Sequence, residues 1–235
     1  MYRTLPLDQY LIKNYNEERV YTLRIPRHIA VIPDGNRRWA KSSGLEKHEG
    51  YAYGLDPGLL FLRLCKKYGV EEVTYYGFTT DNCKRPKTQV KAFAQACVDA
   101  VKLIEKENVS LLVVGNTESD MFPKELLPYT TRTNLGSDDI KVNFLVNYGW
   151  EWDLGQMHTD SHNRKNIYDT LQSRDISRID LIIRLGGRRR LSGLLPVQSV
   201  YADIFCLDDM WPDFNEDHFL EALNWYNTQD VTLGG

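Results

Sequence analysis

The sequence predicts an α/β protein built on a central, mainly parallel, six-stranded sheet flanked by helices. Three observations carry that prediction. Short β-branched or aromatic runs alternate with longer segments of helical period, the order of repeated β-α units. The 235 residues, 42% of them hydrophobic, suffice for one large domain with a substantial core. Polar clusters fall directly behind several strand-like runs, where open parallel sheets gather ligands.

The first strand is "RHIAVIP" (27–33), followed by "DGNRRW"; Asp34 either caps the next helix or serves a metal. A helix is expected near 57–68, with Asp56-Pro57 breaking the helical pattern in front of it. "VEEVTYYGFT" (70–79) is the second strand and leads into "TDNCKRP". The long helix at 87–107 places Val90, Phe93, Ala94, Cys97, Val101 and Ile104 on one face. That face is either plain core or, together with Phe78 and beside Ala96 or Cys97, the wall of an apolar slot for a hydrocarbon tail. "VSLLVVGN" (109–116) and "IKVNFLVNYG" (140–149) are the next strands, and helices are expected at 121–128 and 150–172. "IDLIIRLGG" (179–187) runs into "RRRLSG", "VYADIFCL" (200–207) carries Asp203, and a last helix covers 215–228.

The net charge is −3, so no global positive field recruits nucleic acid, and phosphate affinity must come from local arginine clusters. Arg37, Arg38, Arg85, Arg184 and Arg190 supply them at strand ends. Guanidinium offers a planar fork matched to phosphate oxygens, and neighbouring glycines admit backbone N–H groups to the same anion. A carboxylate among such arginines is repelled by a diphosphate unless Mg²⁺ bridges the two, which singles out Asp34. There is no G-x-x-x-x-G-K-[ST] loop and no G-x-G-x-x-G. The five histidines and four cysteines show no metal-ligand spacing. No signal-type apolar core and no run of about 18 apolar residues occurs, which predicts a cytoplasmic protein with at most peripheral membrane contact.

"PDGNRRWA", "GFTTDNCKRP", "VNYGWEWD", "IDLIIRLGG" with its following arginine and serine, and "YADIF" followed by "MWPDF" together resemble the cis-prenyltransferases, the undecaprenyl and dehydrodolichyl diphosphate synthase family. The resemblance runs from about Arg27 to the C-terminus. It implies an N-terminal extension (1–26) before a single catalytic domain (27–235). It also implies a homodimer, Mg²⁺, and transfer of a prenyl group from an allylic diphosphate to an acceptor. By position, Asp34 would hold Mg²⁺ and assist departure of the donor diphosphate, cradled by the backbone of Gly35, Asn36 and Arg37, the Arg38 side chain, and Lys47 in place of an arginine. Thr79 and Asn82 would assist proton removal. Arg85 matches a nearby arginine and is assigned to the acceptor side with Arg184, Arg190 and Ser192, which match the acceptor diphosphate site; Asp203 stands for a glutamate near the metal.

The departures from the family pattern are Tyr51 for histidine, Cys83 for tryptophan, Leu185 for threonine, Arg188 for an acid, Gly193 for asparagine, and Thr232 where a C-terminal arginine belongs. They point to an acceptor other than, or additional to, isopentenyl diphosphate, such as a second allylic diphosphate or an alcohol, and to a short product. Cyclolavandulyl diphosphate synthases resemble this pattern. The alternatives are a catalytic or accessory subunit of a two-component cis-prenyltransferase, or a phosphate-binding module without chemistry.

Overall fold

A computed structural model of the chain describes residues 24–136, 140–155 and 164–230. The β strands are β1 (His28–Ile32), β2 (Glu72–Tyr76), β3 (Val109–Val114), β4 (Thr133–Leu135), β5 (Lys141–Leu145), β6 (Leu181–Arg184) and β7 (Asp203–Cys206). The α-helices are α1 (Asn36–Ser42), α2 (Leu55–Lys67), α3 (Lys87–Ile104), α4 (Trp150–Leu154), α5 (Arg164–Thr170) and α6 (Glu216–Asn227). The sheet order is β4-β3-β5-β2-β1-β6-β7. Every pairing is parallel except β3 with β4.

The α/β class and the mostly parallel sheet are as the sequence predicts, but the described residues form seven strands instead of six. The additional strand, β4, is the antiparallel edge "TNL", only partly buried. Three residues without an apolar run give no periodic signal. The inner strands bury consecutive side chains, and successive residues face opposite sides. Ile29 and Val31 enter a core shared with Phe61, Val98, Val101 and Phe219, while Ala30 and Ile32 enter a second with Ile176, Ile179, Leu194 and Leu195.

α3 buries Cys97, Val98, Val101 and Ile104 at helical spacing, and each Val or Ile so removed from water contributes about 1.5–3 kcal/mol. Asp56-Pro57 does not interrupt a helix but starts one. Pro57 lies in the first turn of α2, where its missing N–H would have had no intrahelical partner, directly behind a 3₁₀ segment at Glu49–Gly54. The helix expected at 121–128 is a 3₁₀ segment, Lys124–Tyr129, bounded and interrupted by Pro123 and Pro128. The one expected at 150–172 is helical as α4 and α5.

Arg24, assigned by sequence to the extension, is tied to α6. Its backbone N–H donates to Asn227 Oδ1 at 2.6 Å and its guanidinium to the Tyr226 carbonyl at 2.7 Å. The rest of the extension up to residue 23, and Thr232, lie outside the described residues. Among the described residues no helix is long and apolar enough to cross a membrane.

Candidate active site

After β1 the chain moves to β2 on one side of it, while β6 returns to the other side, so the strand order reverses at β1 and β6. Open α/β sheets bind ligands beyond the C-terminal ends of the strands at such a switch point. Ile32 and Arg184 are paired in register there, and Asp34 lies two residues further on. The Asp34 N–H donates back to the Ile32 carbonyl at 2.9 Å, and its Oδ1 accepts the Gly35 N–H at 2.7 Å. Gly35 holds φ at 108°, and a Cβ there would stand 2.8 Å from Met210 Cβ. Only glycine satisfies both conditions, which is the physical reason for the glycine in "DGN".

Arg184 is 3% exposed and organises the centre of the site. It donates to Asp34 Oδ2 at 3.0 Å, to Ser192 Oγ at 2.9 Å and to the Arg190 carbonyl, while its buried Nε–H has no protein partner. Arg38 lies 3.5 Å from Asp34 Oδ1 and donates to the Gly186 carbonyl at 2.7 Å. The Asp34 carboxylate, 34% exposed toward the cavity mouth, is thus held between two guanidinium groups.

These groups line a cavity of about 630 Å³. Its walls bring together Asp34, Gly35, Asn36, Arg37, Arg38, Lys47, Thr79, Asn82, Arg85, Arg184, Arg190 and Ser192, the twelve residues that the sequence assigns to diphosphate binding and proton handling. Lys41, Tyr51, Tyr76, Asp81 and Arg188 line it as well. Eight cationic side chains therefore face two carboxylates, Asp34 and Asp81, inside a chain whose net charge is −3. Low-dielectric walls of one sign concentrate the field on an anion entering there. Sequence reasoning misses Lys41, although it lies four residues beyond Arg37 and so on the same helical side. Tyr76 is the last residue of β2, a position that the strand-end rule also selects.

Several expected residues stand elsewhere or do something different. Asp203 begins β7 instead of ending it and is paired with Leu181, three residues, or about 10 Å along the strand, from Arg184. It is on no wall of the cavity, and burial pushes its carboxyl above the ordinary range. Asp203 thus stands at the end of the strand away from the Ile32–Arg184 pair that Asp34 follows. Phe78 is fully buried and lines no slot; it backs Phe93 edge-on at 5.5 Å. Arg85 stands away from the Arg184–Ser192 pair, where its guanidinium donates to Tyr51 Oη at 2.9 Å and lies 5.7 Å from the Phe93 ring centre. Asn82 Oδ1 accepts the Thr79 N–H at 3.1 Å, which fixes the turn that presents both.

A second, apolar cavity of about 70 Å³ lies beneath the first and is walled by Leu55, Leu59, Phe93, Ala96, Cys97, Ala100 and Phe144. Cys97 and Phe93 thus border a slot, as one reading of the α3 face has it. Burial pushes the Cys97 thiol up to about 12, so the slot is uncharged there. Tyr51, Phe93 and Asn36 line both cavities.

Residues 32–234 match the family model described as "Putative undecaprenyl diphosphate synthase". The ditrans,polycis-undecaprenyl-diphosphate synthase ((2E,6E)-farnesyl-diphosphate specific) of Pectobacterium atrosepticum is 32% identical over 230 residues, covering 89% of this chain and 90% of that protein. The enzyme of the same name from Vibrio parahaemolyticus is 29% identical over 231 residues, covering 89% and 91%. Among solved structures, lavandulyl diphosphate synthase from Lavandula x intermedia, in complex with dimethylallyl diphosphate, superposes with a TM-score of 0.77 at 22% identity, covering 89% of this chain and 98% of that one. The fold, the motifs and the match across most of its length agree: the chain belongs to the undecaprenyl diphosphate synthase family of cis-prenyltransferases.

Proposed function

We propose that this prenyltransferase moves a prenyl group from an allylic diphosphate, dimethylallyl, geranyl or longer, to an acceptor and makes short isoprenoid products. The observation that carries the reading is Asp34 held between Arg38 and Arg184 on the wall of a cationic cavity that adjoins an apolar slot. In the reaction the bond from C1 of the donor to the diphosphate oxygen breaks, and diphosphate keeps the electron pair. An electron pair of the acceptor forms the new bond to C1, and the acceptor gives up a proton. Arg37, Arg38 and Lys47 line the cavity and in this reading stabilise the charge developing on the leaving group, while Thr79 and Asn82, on the same walls, assist proton removal.

Among the described residues no group of three side chains forms a metal cage. A single carboxylate facing a phosphate-sized cationic cavity nevertheless suits Mg²⁺, which is commonly held by one or two carboxylates together with substrate phosphates. Asp34 is the residue that would hold it, and bound there Mg²⁺ would polarise the departing diphosphate. Arg184, now on Asp34 Oδ2, has phosphate oxygens as alternative partners once substrate enters.

The acceptor is isopentenyl diphosphate, a second allylic diphosphate or an alcohol. The small volume of the slot supports a short product, and Arg188 on the cavity wall supports an acceptor that carries a diphosphate of its own. The reading includes a homodimer, supported by exposed Val200 and Tyr201 in the turn before the edge strand β7 and exposed Ile204 within it. Incubation of the pure protein with each allylic diphosphate and Mg²⁺, with and without isopentenyl diphosphate, and then mass analysis of the products, tests the function. Products of ten or more isoprene units would overturn the short-product reading, and absence of any prenyl transfer would overturn the whole.

A further inference from the structure

The Tyr51 and Phe93 rings lie 4.4 Å apart and within 4° of parallel, at the boundary between the polar cavity and the apolar slot. They come from separate elements, the 3₁₀ segment at Glu49–Gly54 and α3. The stack is fastened on its polar side by the Arg85 guanidinium, which donates to Tyr51 Oη and faces the Phe93 ring. Asn36 reaches the same boundary with a buried Oδ1 that has no partner, so the boundary is incompletely satisfied as it stands. The slot below holds about 70 Å³, less than half of the roughly 150 Å³ cavity that accommodates a benzene ring. It has no room for a six-carbon group while the stack is in place.

We propose that Tyr51 and Phe93 form a partition, latched by Arg85, that keeps the hydrocarbon tail of the donor out of the apolar slot and so restricts this chain to short prenyl diphosphates. The inference rests on the prenyl-diphosphate reading and deepens it by naming what limits the donor. Arg85 also lines the cationic cavity, so the group that holds the Tyr51 hydroxyl belongs to the wall of the diphosphate site. Burial raises the ionisation range of the Tyr51 hydroxyl, so it remains a neutral partner for Arg85 at ordinary pH.

The test is calorimetric binding of the non-hydrolysable thiolodiphosphates of dimethylallyl, geranyl and farnesyl to the wild type, Tyr51→Phe, Tyr51→Ala and Phe93→Ala, each checked for native circular dichroism. The wild-type affinity should fall at least threefold from dimethylallyl to farnesyl. Tyr51→Ala and Phe93→Ala should bind the farnesyl analogue at least tenfold more tightly relative to the dimethylallyl analogue, as the slot opens to a tail. Tyr51→Phe, which keeps the stack but removes the latch, should fall between. An unchanged farnesyl-to-dimethylallyl ratio in folded Tyr51→Ala and Phe93→Ala overturns the partition while leaving the functional reading standing. Failure of the wild type to bind any of the three analogues overturns the functional reading itself. If Tyr51→Ala does not fold, Phe93→Ala and Tyr51→Phe decide by the same ratio.

Discussion

Asp34 is where the cavity's charge, the proposed Mg²⁺ and buried structure meet, and its removal separates their contributions. In Asp34→Ala the guanidinium of Arg184, 3% exposed, loses its counter-ion and keeps only neutral acceptors, Ser192 Oγ and the Arg190 carbonyl. Breaking a fully buried pair costs about 3–5 kcal/mol. Asp34 is itself 34% exposed, and water in the cavity replaces part of the contact, so the expected cost is about 1–3 kcal/mol. For a chain of this length each kcal/mol lowers Tm by about 2–4 °C, giving a fall of roughly 2–12 °C in differential scanning fluorimetry. Asp34→Asn keeps an amide oxygen for Arg184 but removes the negative charge, so it should melt closer to the wild type. Both variants should lose activity in a radiolabelled prenyl-transfer assay by roughly 100- to 1000-fold, the usual effect of removing one preorganised electrostatic contact. Either variant retaining more than a tenth of the wild-type rate with Mg²⁺ present would refute Asp34 as the metal carboxylate. A wild-type Tm in Asp34→Ala would refute the dependence of Arg184 on it.

Arg190→Ala, an exposed side chain on the cavity wall, should weaken acceptor binding about 10- to 100-fold in steady-state KM with Tm unchanged. Arg184→Ala should do the same and also lower Tm, because it releases Asp34; a donor KM raised as much as the acceptor KM in Arg190→Ala would show that the half-sites are assigned wrongly. Acid should destabilise the protein in two steps, tracked by urea midpoints from pH 7.5 to 4. Burial holds the His28 imidazole below its ordinary range, so the unfolded chain takes that proton first and stability falls as pH drops below about 6.5. Burial pushes Glu72 up, but His28 nearby and hydrogen bonds from Ser177 and Asn143 hold it below its ordinary range, so its contribution is lost as pH falls below about 4.5. His28→Asn should flatten the upper step, and a stability that rises on acidification would contradict a neutral buried imidazole. Gly193→Ala should destabilise by about 1–2 kcal/mol from its φ of 84° alone, with more from a Cβ 2.8 Å from Trp150 Cδ1; adding Trp150→Ala should recover only the second part in a thermal melt.

Most of the sheet is legible in the sequence because its inner strands are buried and rich in β-branched, aliphatic and aromatic residues. The cavity is legible because one rule, to look just beyond the C-terminal end of each strand, selects Asp34, Thr79, Asn82 and Ser192 from separate stretches of chain. The features that escape have physical reasons. Asp203 lies within an apolar run, and a run of that kind does not reveal which end the ladder begins from; pairing with Leu181 decides it. Phe78 and Phe93 are both aromatic and both near strand or helix ends, but only the direction of each ring, set by the packing of α3 on β2, puts Phe93 on the slot and Phe78 behind it. The short 3₁₀ segment that carries Tyr51 has no periodicity to read, so a principal residue of the boundary is visible in the sequence only as a departure from a motif.

Those departures are not equivalent once placed. Leu185 is fully buried and its N–H donates to the Ile32 carbonyl, so it serves the β1–β6 junction. Gly193 is required by a positive φ and by the Trp150 ring pressed against it. Cys83 packs against the core, with its thiol toward the Thr79 carbonyl and Asn147. None of these three lines either cavity, so an exchange there alters substrate choice only through the backbone. Tyr51 and Arg188 do line the polar cavity. Among the departures at described residues, the two that face the polar cavity have opposite effects: Arg188 adds positive charge where a second diphosphate would lie, and Tyr51 takes away room where a tail would lie. Grafting histidine at 51 and an acid at 188 should move the chain toward longer products together, and each exchange alone should move one property, tail length for Tyr51→His and acceptor KM for Arg188→Glu, as read by product mass and steady-state kinetics. If Arg188→Glu lengthens the product while leaving acceptor KM untouched, the division of labour between these two positions is wrong.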